Sequence, residues 1–120
     1  SPGFSPEVSK ACIAEGLIYF PGIASPRDIQ DALADGWKTL KFFPAEAAGG
    51  AAMIKALSGP FSDARICPTG GIGLHNVMEY LSLPNVLCVG GSWVCPAQLV
   101  NAQRWDEIEQ LARDASQLGR

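Results

Sequence analysis

The chain has 120 residues, enough for one domain of the common ~100–200 residues but too few for a complete (β/α)8 barrel, which takes about 250. Apolar residues make up 48% and charged residues 18%, a globular balance rather than a disordered one. Nine basic against twelve acidic side chains leave a net charge of -3, so no basic excess recruits nucleic acid or an anionic membrane, and no apolar run approaches the ~20 residues of a membrane span.

In chain order, Ser1-Pro2-Gly3 reads as the tail of an earlier strand, with no initiating Met. Ser5-Pro6-Glu7 offers an N-cap with Pro at the first helical position, and Gly16 stops that helix. Leu17 to Phe20 is a short β-like run before Pro21-Gly22. Ser25-Pro26-Arg27-Asp28 repeats the cap, Ile29, Ala32 and Leu33 supply an apolar stripe, and Gly36 ends it. Thr39 to Phe43 is the next strand, before Pro44. Gly49-Gly50 reads as a loop hinge, and Met53, Ile54 and Leu57 mark a helix stopped by Ser58-Gly59-Pro60. Arg65 to Cys67 before Pro68 is a strand, Asn76 to Leu81 a helix, and Val86 to Val89 before Gly90-Gly91 a strand. Trp105, Ile108, Leu111, Ala112, Ala115 and Leu118 share one face of a final helix, the clearest in the chain.

Pro21, Pro44, Pro68 and Gly90 lie 23, 24 and 22 residues apart. A βα unit with short loops has about this period, which points to parallel strands with helical crossovers. The near-continuous apolar strands imply that both sheet faces are covered. The whole of 1–120 reads as one domain, without a linker or low-complexity tract.

Cys12, Cys67, Cys88 and Cys95 form no C-x-x-C pair, and His75 is the single histidine. A metal site is therefore poorly supported, and no cofactor is called for. Nothing signals an extracellular setting, so the thiols are expected to be reduced and the protein cytoplasmic.

Lys41 is the most informative residue. Alternation puts Thr39, Lys41 and Phe43 on one face and Leu40 and Phe42 on the other. With both faces covered, its ammonium is buried or nearly so. Burial favours the neutral amine, the nucleophile that forms Schiff bases with carbonyl substrates. The alternative is a lysine that pairs with a carboxylate or snorkels to the strand end. Lys38, at the strand entrance, serves as the control.

Pro68-Thr69-Gly70-Gly71-Ile72 and Gly90-Gly91-Ser92-Trp93 each follow a strand. Consecutive glycines let backbone N–H groups surround a phosphate, and a hydroxyl adds a donor. A tight turn is the plain alternative. Glu46 is a possible acid or base, or else a cap or an ion-pair partner. His75 is a loop or capping residue before it is a catalyst. Phe43 and Trp93 line either a pocket or the core.

Leu40-Lys41-Phe42-Phe43-Pro44-Ala45-Glu46, Cys67-Pro68-Thr69-Gly70-Gly71-Ile72 and Val89-Gly90-Gly91-Ser92-Trp93 together resemble the 2-keto-3-deoxy-6-phosphogluconate (KDPG) and 4-hydroxy-2-oxoglutarate aldolase family. Ser1-Pro2-Gly3 and Phe20-Pro21-Gly22-Ile23 match in the same order, so the resemblance runs from residue 1 to about residue 113. It implies an α/β fold, the C-terminal half of a (β/α)8 barrel from the end of strand four through strand eight. It also implies a class I aldolase that cleaves a small phosphorylated keto acid to pyruvate and glyceraldehyde 3-phosphate. The Schiff-base lysine then falls on Lys41, and a substrate-facing threonine on Thr69. Phosphate binding falls on Gly70, Gly71, Gly91 and Ser92, and a wall of the pyruvate pocket on Phe43. A homotrimer is implied as well.

The family's base is a Glu in an early Leu-Glu-Val-Thr-Leu-Arg-like run that this sequence does not contain, and its carboxylate-binding Arg goes with it. The short length therefore reads as truncation. A half-barrel with open sheet edges is expected to associate or stay molten. Two other readings stand beside the aldolase: a non-catalytic phosphate-binding or assembly half-barrel, and another phosphosugar barrel enzyme. The residues leave open KDPG, 4-hydroxy-2-oxoglutarate or a phosphogalactonate epimer as the substrate.

Overall fold

The computed structural model describes residues 1–119. The helices that begin at Ser-Pro form as expected. Helix α1 spans Pro6–Ala14, and the Ser5 hydroxyl accepts from the Val8 N–H at 3.4 Å. Helix α2 spans Pro26–Ala34 under a reciprocal cap. The Ser25 hydroxyl accepts from the Asp28 N–H at 3.3 Å, and the Asp28 carboxylate accepts from the Ser25 N–H at 3.0 Å. Such a cap satisfies donors that a first helical turn leaves unpaired. Helix α3 spans Gly50–Leu57 and α4 spans Val77–Leu81.

Strands β1 (Gly22–Ile23), β2 (Thr39–Phe42) and β3 (Arg65–Pro68) form a parallel sheet in the order β1-β2-β3. Gly22 pairs with Lys41, and Lys41 with Cys67, so Lys41 lies on the central strand. Leu40, Phe42 and Ile66 on one face pack with Ile29, Ile54, Val77 and Tyr80 of α2, α3 and α4, all at 0–1% exposure. Each such apolar side chain contributes about 1.5–3 kcal/mol on burial, which fixes the helices to this face. Thr39, Lys41, Phe43 and Cys67 are half-buried. The expectation of two covered faces is thus corrected: only one face carries helices, and Lys41 is partly enclosed rather than buried.

Two expected strands also change. Leu17 to Phe20 is not a strand. The Leu17 N–H is taken by the Cys12 carbonyl at the end of α1, and Ile18 is 93% exposed. Pairing with β2 begins at Pro21, whose carbonyl accepts from the Lys41 N–H at 2.8 Å. The opening residues run beside this segment, with the Ser1 amino group donating to the Phe20 carbonyl at 3.1 Å.

Val86 to Val89 follows β3 in parallel without regular pairing. Ile66 is bridged to Val86 and Thr69 to Gly90. Four residue steps on the last strand therefore face three on β3. One extra residue lies in the last strand, a β-bulge that interrupts the ladder.

After Gly91 come a 3-10 turn at Ser92–Val94 and α5 at Ala97–Asn101, neither expected from the sequence. The final helix, α6, spans Trp105–Ala115, but none of its residues is buried and Trp105 is 57% exposed. Its main contacts are α5 and the 3-10 turn rather than the sheet, so its apolar face is only half covered.

Candidate functional site

The loops that follow β2, β3 and the last strand gather at one end of the sheet. Lys41 Nζ lies 5.4 Å from the centroid of the Phe43 ring, a cation–π distance. Beside it in register is Cys67. Burial first, and then the neighbouring Cys88 thiol, push the Cys67 thiol up to about 11, against smaller opposing effects of Thr69 and Lys41. Lys41, Cys67, Thr69 and Cys88 therefore share one neighbourhood on the open face.

The loop after β3 is closely fitted to the loop after β2. The Ala45 N–H donates to the Thr69 carbonyl at 2.9 Å, and the Glu46 N–H to the Gly70 carbonyl at 3.1 Å. Gly70 and Gly71 have φ of 105° and 76°, the left-handed region that glycine enters without strain. A Cβ on Gly70 would sit 3.3 Å from the Phe43 ring and from the Ala45 nitrogen. Buried Asn76 holds the loop from behind. Its Oδ1 accepts from the Gly73 N–H at 2.9 Å, and its Nδ2 donates to the Gly71 carbonyl at 3.1 Å.

The second glycine loop lies alongside. A Cβ on Gly90 would approach Thr69 Oγ1 to 2.6 Å, and one on Gly91 would overlap the Trp93 ring and stand 3.0 Å from the Ile72 carbonyl. Among the described residues, the N–H groups of Gly71, Gly91 and Ser92 donate to no protein acceptor, while the Thr69–Gly90 bridge turns the Gly70 N–H toward the Gly90 carbonyl. Free N–H groups on neighbouring glycine loops make an anion-binding concavity.

Lys41, Phe43, Thr69, Gly70, Gly71 and Gly91 are thus brought together, with Ser92 exposed at the rim. Trp93 instead packs against the core and lines a cavity of about 230 Å³ beneath α6, together with Leu87, Ala115 and Leu118. Neither Lys41 nor Thr69 borders that cavity. His75 stands exposed beside Gly73, ahead of α4. Exposed Lys38 gives its carbonyl to the Arg65 N–H at 2.7 Å. Glu46 accepts a hydrogen bond from the Tyr80 hydroxyl.

Asn76, Tyr80 and Cys88 were not candidates from sequence. Of these, Asn76 carried a local signal, an Asn three residues after Gly73 at a turn. Among the described residues, no group of three or more His, Cys, Asp or Glu side chains could hold a metal ion. No described helix is long and apolar enough to cross a membrane.

This arrangement is half of a (β/α)8 barrel, an open parallel sheet with its strand-end loops clustered around a lysine on the central strand. Residues 1–111 match the family model for KDPG and KHG aldolase, and the chain belongs to that family.

Among its relatives, the 2-dehydro-3-deoxy-phosphogluconate aldolase of Haemophilus influenzae is 46% identical over 95% of this chain and 54% of its own length. That of Pseudoalteromonas atlantica is 48% identical over 96% and 54%. The KDPG aldolase of Legionella pneumophila, captured with pyruvate as a covalent carbinolamine intermediate, superposes with a TM-score of 0.92 at 43% identity, over 96% of this chain and 56% of that one. The chain spans about half the length of these relatives.

Proposed function

We propose that the chain carries the Schiff-base half of a class I aldolase acting on a phosphorylated 2-keto acid, with KDPG as the leading substrate. The observation that carries this reading is Lys41 on the central strand of an open face, beside two glycine loops in which the N–H groups of Gly71, Gly91 and Ser92 are unpaired among the described residues. The amine of Lys41 adds to the C2 ketone, and loss of water leaves a cationic iminium. Removal of the C4 hydroxyl proton then breaks the C3–C4 bond. The electron pair passes into the iminium, giving a pyruvate enamine and releasing glyceraldehyde 3-phosphate. Protonation and hydrolysis free pyruvate and return the amine.

Phe43 would wall the keto-acid end, Thr69 would face the reacting carbons, and Gly70, Gly71, Gly91 and Ser92 would hold the phosphate. Iminium formation needs only Lys41 and a carbonyl. Cleavage also needs a base, which the family resemblance places in a run outside this sequence. A cytoplasmic homotrimer belongs to the same proposal. Without the base, the chain binds pyruvate and phosphate but does not turn over, which is the non-catalytic half-barrel reading.

Borohydride reduction with pyruvate, followed by digestion and mass analysis, tests the core of it. A reduced pyruvyl adduct on Lys41 and none on Lys38 is expected. An unmodified Lys41 would overturn the assignment.

A further inference from the structure

We propose that Glu46 and Tyr80 form a positioning brace that sets the glycine loop at Gly70–Gly71 and so governs phosphate affinity independently of Schiff-base formation at Lys41. The inference rests on the phosphate assignment made above.

Glu46 is exposed overall, yet its side chain is closely hemmed in. A Cβ on Gly71 would fall 2.7 Å from both Cβ and Cγ of Glu46, so the carboxylate stem passes directly over that glycine. A Cβ on Gly50 would lie 3.4 Å from Glu46 Oε1 and 3.5 Å from the Tyr80 hydroxyl, so the first turn of α3 closes the third side. The carboxylate then accepts from the Tyr80 hydroxyl on α4.

Tyr80 is fully buried, and burial first, then Glu46, raise its phenol well above the usual range. The hydroxyl therefore stays protonated and donates. Asn76, just ahead of α4, already ties Gly71 and Gly73 to that helix. The loop is thus held from two sides, by Asn76 behind and by the Glu46 stem in front.

The pair also fixes a charge. A carboxylate beside N–H groups that bind phosphate would repel the ligand. Held on Tyr80, its oxygen is committed to α4. A hydrogen bond to a charged group is strong enough for its loss to be read in binding.

The test uses inorganic phosphate, titrated by calorimetry at fixed ionic strength, alongside borohydride trapping with pyruvate. Tyr80→Phe is expected to weaken phosphate binding about tenfold, with trapping at Lys41 unchanged. Glu46→Gln keeps an oxygen that accepts from Tyr80 and removes the charge, so it should bind phosphate at least as tightly as the parent, and weaker binding would count against the brace. Tyr80→Phe with parental phosphate affinity would overturn the brace. So would trapping that falls in step with phosphate binding, since that marks a general loss of structure. If the parent chain itself binds no phosphate, the phosphate assignment fails, and the brace falls with it.

Discussion

Replacing Gly71 with alanine separates two costs that the fold imposes at one atom. Gly71 has a φ of 76°, and its missing Cβ would stand 2.7 Å from two carbons of Glu46. Gly16 has a φ of 62° with nothing within 4 Å, and Gly3 has open space and no positive φ. A Cβ in the left-handed region costs about 1–2 kcal/mol, offset by about 0.4–1 kcal/mol from a stiffer unfolded chain. Gly16→Ala should therefore destabilise by about 1 kcal/mol.

Gly71→Ala meets the same strain plus overpacking against the Glu46 stem, which costs a further ~1–3 kcal/mol. Its total is about 2–4 kcal/mol. Gly3→Ala should stay within about 0.5 kcal/mol of the parent. The assay is urea unfolding followed by circular dichroism, at one protein concentration, because association and unfolding are linked. Equal losses for Gly71→Ala and Gly16→Ala would refute the packing argument and place the whole penalty in the backbone.

Two further outcomes follow from other contacts. The buried Ser9 hydroxyl accepts from the Trp37 indole N–H at 2.7 Å and donates to Asp35 at 2.5 Å, so Ser9→Ala strands both partners. It should cost about 1–3 kcal/mol in the same unfolding assay, and a loss under about 0.5 kcal/mol would count against the network. The Cys67 thiol, pushed up to about 11 from an ordinary 9.0, is a hundredfold poorer source of thiolate at pH 8. Its alkylation by iodoacetamide should run about tenfold slower than that of a free cysteine peptide, since a thiolate of higher pKa is also more nucleophilic, and the rate should climb tenfold per pH unit until it levels near pH 11. A profile that levels near pH 9 would contradict the burial argument.

The strand carrying Lys41 was legible because its alternation is a local property. Leu40 and Phe42 had to share a face, and they do, at 0% exposure. The Ser-Pro helix starts were legible for the same reason, since a cap needs only neighbours in sequence. Leu17 to Phe20 misled because its apolar composition is strand-like, whereas being a strand also requires a partner backbone. Of the expected face of α6, Ile108, Leu111 and Ala115 are half-buried, whereas Trp105 and Ala112 stay exposed and Leu118 lies beyond the helix, because burial depends on what lies beneath and no periodicity records that. Glu46 and Tyr80 are 34 residues apart, and their pairing exists only once α4 folds back across the loop after β2. The glycine motifs were legible as motifs. Their fit to Phe43 and Glu46 was not, because it comes from two loops meeting.

The extra residue in the last strand acts as a one-step frameshift. With uninterrupted pairing from Ile66↔Val86, Val89 would stand opposite Thr69. The shift delivers Gly90 there instead, where a Cβ would come within 2.6 Å of the Thr69 hydroxyl. A side chain at that point would push Thr69 off its place or close the gap between the two glycine loops. The irregularity that breaks the ladder is therefore what keeps a backbone-only surface next to Thr69. Deleting one residue from Leu87 to Val89 would restore the ladder and still leave Gly90 opposite Thr69, three steps from Val86, so the bulge lets a longer strand reach the same glycine.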